Sequence, residues 1–121
     1  MVGKGKPLGD QLAEILDGYS KEVQEKAEKQ IRYVAAATAN RLRHTSPVGR
    51  TGKYAKGWAY KRTKYGEIVV YNAIDWQLTH LLEFGHALPQ GGRARAFPHI
   101  APAEEKAEED LMNRIERVLK E

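Results

Sequence analysis

The chain has 121 residues, a formal net charge of +4 and no cysteine. A chain of this length holds one modest core, with little room for a deep catalytic cleft. The missing cysteine excludes disulfides, thiolate metal ligands and thiol nucleophiles, and no apolar run approaches the roughly 18 residues of a membrane span.

Residues 1–9, MVGKGKPLG, are rich in Gly and Lys and read as a flexible N-terminus ahead of a single domain over 10–121. No apolar segment follows Lys4 and Lys6, so no signal peptide is expected, and the plain expectation is a soluble cytoplasmic chain. Asp10 is the expected N-cap of a helix whose apolar residues step by three or four through Leu12, Leu16, Tyr19, Val23, Ala27, Ile31, Val34, Thr38 and Leu42. Ile15 and Ala35 widen that stripe. Gly18 costs about 1 kcal/mol relative to Ala in a helix interior, which marks Asp17–Ser20 as the place for a kink or break. Ser46-Pro47 ends the helix near His44, because the residue before proline avoids the helical region.

Residues 45–53, TSPVGRTGK, read as a basic loop. Two strand-like runs follow, Tyr54 to Thr63 with Trp58 and Tyr60 in alternation, and Glu67 to Asn72. Lys64-Tyr65-Gly66 supplies the hairpin turn between them. In 75–86, DWQLTHLLEFGH, Asp75 is placed to cap a short helix and Gly85 to stop it, although the apolar run at 78–84 also suits a strand. Residues 87–99, ALPQGGRARAFPH, read as a mobile loop that re-enters in extended conformation at Phe97. The last helix is expected from Pro102, with Ala103, Ala107, Leu111, Ile115 and Leu119 as its core stripe. Its acids lie toward the N-terminus and Arg114, Arg117 and Lys120 toward the C-terminus, as the helix dipole favours. The fold class that follows is α+β: a long N-terminal helix and a C-terminal helix packed on a small antiparallel sheet.

The residues carry little chemistry. His80 and His86 stand six apart around Glu83, whereas a zincin helix needs its two histidines four apart. Glu83 is expected to be held by a backbone or arginine partner. Gly49–Lys53, GRTGK, has too few residues between its glycines for a phosphate-binding loop. Ser20 and Ser46 sit in no nucleophile elbow, and Glu104/Glu105 and Glu108/Glu109 read as a solvated face. No enzyme activity, metal or cofactor is expected.

Charge distribution is more informative. Between Lys29 and Gly66 there is no Asp or Glu, while Lys29, Arg32, Arg41, Arg43, Arg50, Lys53, Lys56, Lys61, Arg62 and Lys64 all fall there. Most acids lie in the two terminal portions. Such asymmetry suits an acidic partner, protein or nucleic acid. Basic residues interleaved with Tyr54, Trp58, Tyr60 and Tyr65 make a small basic nucleic-acid-binding protein the alternative reading. Strand aromatics are more often core or cross-strand pairs, so that reading is not the favoured one.

Three ordered pieces carry a resemblance: SPVGRTGKYAKGW at Ser46–Trp58, HLLEFGHA at His80–Ala87, and GGRARAFPHIAPAEE at Gly91–Glu105. Together they resemble the small tail components encoded in the neck and tail gene clusters of lambda-like siphophages, usually described as tail-completion proteins. The motifs span about residues 40–110. One departure is His99, where the family usually carries an aromatic or aliphatic residue. The resemblance implies a non-enzymatic phage or prophage virion protein that completes the tail or joins it to the head. It implies assembly in the host cytoplasm, a homo-oligomeric ring and other tail or neck proteins as partners, with no membrane. Within that frame Arg50, Lys53, Arg93, Arg95 and Phe97 are the expected assembly interface, and Glu83, Phe84 and Gly85 a structural elbow.

Overall fold

The computed structural model describes residues 8–64 and 66–121; residues 1–7 of the segment read as a flexible N-terminus, and Tyr65 of the expected hairpin turn, lie outside them. In chain order the elements are α1 (Leu8–Leu16), α2 (Lys21–Thr45), α3 (Lys53–Lys56), β1 (Trp58–Arg62), β2 (Ile68–Asn72), α4 (Leu78–Phe84), β3 (His86–Ala87), β4 (Arg93–Ala94) and α5 (Ile100–Lys120). The class is α+β, with two long helices against a small antiparallel hairpin.

The long N-terminal stripe is split at the predicted place. α1 begins at Leu8, two residues before the expected cap Asp10, and ends at Leu16. Ser20 takes an extended conformation and its hydroxyl accepts from Val23 N at 3.3 Å, so it starts α2 as a side-chain cap. Gln24 Nε2 reaches back to donate to Leu16 O at 2.9 Å and Tyr19 O at 3.3 Å, serving carbonyls that the end of α1 leaves open. The break turns Tyr19 and Ile15 outward, so neither joins the core stripe. α2 then runs 25 residues, about 38 Å at 1.5 Å per residue. It ends where Ser46, extended before Pro47, donates its backbone N–H to Leu42 O.

α5 packs along α2, and apolar side chains meet between them in two clusters. Leu12 and Leu16 of α1, Ala27 and Val34 of α2, and Leu111 and Ile115 of α5 form the first. Ala39 and Leu42 of α2, Tyr54, Trp58 and Ala103 form the second, with Val70, Leu82 and Ile100 packed against it. Each fully buried Leu or Ile contributes roughly 1.5–3 kcal/mol.

β1 and β2 pair antiparallel from Trp58↔Asn72 to Arg62↔Ile68. An ion pair between Arg62 and Glu28 ties the hairpin to α2. The first strand is shorter than its alternation suggested. Residues 53–56 form a helical turn instead, entered through Gly52 in the left-handed region at φ 71°. That turn rotates Tyr54 into the core beside Trp58, their rings edge to face at 5.7 Å.

Residues 78–84 are helix, and Gly85 stops it at φ 73°, ψ 178°, a region open essentially to glycine alone. A Cβ there would lie 2.5 Å from Ala94 O. The segment read as a loop at 87–99 contains a hairpin of its own, with His86↔Ala94 and Ala87↔Arg93 paired around Gly91-Gly92. α5 starts at Ile100, two residues earlier than expected, which makes Pro102 its third residue. Among the described residues no helix is long and apolar enough to cross a membrane.

Candidate functional site

The second cluster is buttressed by polar groups rather than closed by apolar ones. Glu83, on the last turn of α4, is buried at 6 % exposure. Its Oε1 accepts from His99 N at 2.7 Å and Ile100 N at 2.8 Å, and its Oε2 accepts from Ala101 N at 3.0 Å. The next residue, Pro102, has no N–H to satisfy. One carboxylate thus closes the N-terminus of α5, favoured further by the helix dipole. Burial works to raise the Glu83 pKa; the three backbone donors and the adjacent His99 outweigh it, and the carboxyl lies below the ordinary glutamate value.

His99, 4 % exposed, completes the joint. Its Nδ1 faces two acceptors, Phe97 O at 2.6 Å and Glu83 Oε1 at 3.0 Å, which places a proton on Nδ1. Nε2 is then free to accept from the Tyr54 hydroxyl at 2.7 Å. Burial first, and the Glu83 charge second, push the Tyr54 hydroxyl up to about 12, so it remains a donor at neutral pH. Trp58 Nε1 donates to Ser46 Oγ at 2.8 Å, which fixes the end of α2. Asn72, also buried, donates Nδ2 to Tyr54 O at 2.7 Å and accepts at Oδ1 from Ile74 N and Asp75 N. The glutamate, imidazole and phenol form a closed string whose polar atoms serve one another and the backbone. It ties α3, α4 and the start of α5 together.

Of the residues singled out in the sequence, Glu83 and Gly85 lie in this joint, whereas Phe84 points outward at 67 % exposure. Arg50 is exposed on the turn before α3 and Lys53 at its first residue, and Arg93 and Arg95 are exposed on and after β4. Phe97 is 45 % exposed, with the Arg95 guanidinium 5.6 Å from its ring centroid. Both basic loops are tied to the same buried string, one through Tyr54 and the other through His99. His80 stacks near Phe84 at 5.7 Å while His86 enters β3, and no three His, Asp or Glu gather to hold a metal among the described residues. Tyr54 and Trp58 are spent in the core, which removes two aromatics from the base-stacking platform of the alternative reading.

The outer surface near this joint is apolar. Leu78, Leu81 and Phe84 follow one another at steps of three along α4, all exposed, with Trp76 at 66 % exposure just before them. Elsewhere, an apolar cleft of about 300 Å³ opens between α2, α5 and the hairpin, floored by Val34, Leu42, Trp58, Val70 and Leu111, with Glu104 on its wall. Among the described residues no ion pair engages Glu104, Glu105, Glu108 or Glu109 on α5, nor Arg50, Lys53, Arg93 or Arg95.

Sequence reasoning missed Tyr54, Asn72, Ser46 and His99 as structural polar groups. The one available signal was His99, which stood out against the pattern of the family that the chain resembles. Compared with known proteins, residues 10–85 match the HK97-gp10-like family model, described as "Bacteriophage HK97-gp10, putative tail-component". The match takes in α1 through α4 and stops at Gly85, before the Gly91–Glu105 piece of the resemblance. No curated protein and no solved structure matches the chain.

Proposed function

The chain belongs to the HK97-gp10-like family of phage tail components, and on that premise we propose that it completes the head-proximal end of the tail or joins the tail to the head. The match over residues 10–85 is the observation that carries this reading. The surface supports it. Among the described residues no ion pair engages Arg50, Lys53, Arg93 or Arg95, nor Glu104, Glu105, Glu108 or Glu109 on α5, and such charges suit complements on another molecule. On this reading the protein works by docking, without chemistry, and assembles in the host cytoplasm into a homo-oligomeric ring that enters the virion among other tail or neck proteins. A contact between unlike patches of neighbouring copies closes into a ring when its rotation divides the circle. Charges at the rim of such a contact set register and encounter rate more than affinity. Arg50, Lys53, Arg93, Arg95 and Phe97 form the docking fringe, held in place by the Glu83–Gly85 elbow.

The test is a stop codon in the gene. Heads filled with DNA and tails of full length should accumulate unjoined, and adding the purified chain to the extract should restore infectivity. The Arg93→Glu/Arg95→Glu chain should keep its stability within about 0.5 kcal/mol, as exposed substitutions do, and fail to restore it. Normal particles without the gene product would end the proposal.

A further inference from the structure

We propose that the outer face of α4 seats in the apolar cleft between α2, α5 and the β1–β2 hairpin of a second copy of this chain. The proposal rests on the assembly reading and names the contact that would make it. Leu78, Leu81 and Phe84 lie on one side of α4, exposed, while the neighbouring Leu82 and Glu83 face inward. An exposed stripe of this kind beside Trp76 is costly in an isolated chain and marks a surface built to be covered. The cleft is its counterpart: an apolar floor of about 300 Å³, large enough for a bulky side chain.

Charge says which occupant fits. The backbone of residues 94–96 passes against Gly85, next to Phe84, and that segment carries Arg95, whose guanidinium lies 5.6 Å from the Phe97 ring centroid, and follows Arg93 on β4. Phe97 N donates to Leu82 O at 2.7 Å, which binds that flank to α4. The cleft wall carries Glu104, and Glu108 stands one turn further along the same side of α5. No ion pair engages these four residues among the described residues. A basic-rimmed apolar ridge and an acid-rimmed apolar cleft on one chain are complementary between copies. Because ridge and cleft are different patches, the contact is head to tail rather than two-fold.

The absence of cysteine makes a direct test simple. Gln77→Cys, one turn before Leu81, and Glu104→Cys change exposed positions and leave Leu78, Leu81 and Phe84 in place, and circular dichroism confirms that both variants fold. The two are mixed, oxidised and resolved without reductant. The 77–104 pair should form in about tenfold excess over either symmetric pair, as a local concentration set by docking requires. A chain carrying both cysteines should give a ladder of dimer, trimer and higher species. Reversing Arg93 and Arg95 on the Gln77→Cys partner should abolish the excess, and adding Glu108→Arg to the other partner should recover part of it. A statistical mixture, or dominance of the 77–77 pair, overturns the proposal. If that happens while the wild-type chain is still found in virions, the contact is wrong and the assembly reading stands. The excess appearing in a chain absent from virions would support the contact and remove that reading.

Discussion

Leu12, Leu16, Ala27, Val34, Leu111 and Ile115 meet at one end of the α2–α5 pair without a polar side-chain atom among them. At the other end Tyr54 and Trp58 share their space with Asn72, Glu83 and His99, each buried and each hydrogen-bonded. The first end depends on area removed from water and tolerates a swap of similar volume. The second depends on geometry, because a buried polar group that loses its partner bears its full desolvation cost. The exposed α4 stripe and the basic loops are attached to the second end. The molecule is thus most exactingly built where it presents its candidate contact surface.

Three substitutions sharpen that contrast. Trp58→Ala should be the most damaging, at roughly 4 kcal/mol in urea unfolding, since it empties the centre of the polar end and strands the Ser46 hydroxyl. Glu83→Gln should cost about 2–3 kcal/mol at neutral pH, in the range of hydrogen bonds to a charged group. Its loss should depend on pH. The folded-state pKa of Glu83 is depressed, so the carboxylate contributes fully above the ordinary glutamate pKa of about 4.3. That contribution is lost as the pH falls through the lower folded value. The gap between wild type and Glu83→Gln should therefore be flat from pH 7 to about 5 and should close in more acid solution. A gap unchanged down to pH 2 would show that the α5 cap does not rest on the carboxylate charge. Ile115→Val, in the apolar end, should cost only about 1 kcal/mol, with no pH dependence in the same titration.

The apolar end was largely legible in the sequence, because steps of three and four write a helix stripe directly into the chain. Leu12, Leu16, Ala27 and Val34 are buried as their spacing required, as is Leu42 further along the same stripe, and Gly18 with Ser20 marked the break. Gly85 marked the end of α4. The polar end was not legible. Tyr54 finds His99 across 45 residues, Asn72 finds the Tyr54 carbonyl across 18, and Glu83 finds His99 N across 16. No local period records such pairs. The strand read back to Tyr54 failed because alternation over two aromatics does not outweigh the left-handed entry at Gly52. The helix start assigned to Pro102 was late because the cap that fixes it comes from another element. For the expected interface, exposure of Arg50, Lys53, Arg93 and Arg95 follows from their chemistry. The outward aim of Leu78, Leu81 and Phe84 could only come from knowing which face of α4 Glu83 holds inward.

The β1–β2 hairpin is a ribbon of two strands, so neither has an interior position. Each has a margin that pairs with no further strand, the kind of template on which foreign strands nucleate and amyloid-like stacking begins; on β1 the Arg43 guanidinium already donates to the Trp58 carbonyl at 3.0 Å. Lys61 and Arg62, exposed in β1, put charge on that margin and make annealing of a further strand expensive. A chain so edged is steered away from backbone-to-backbone accretion and toward encounters made by side chains.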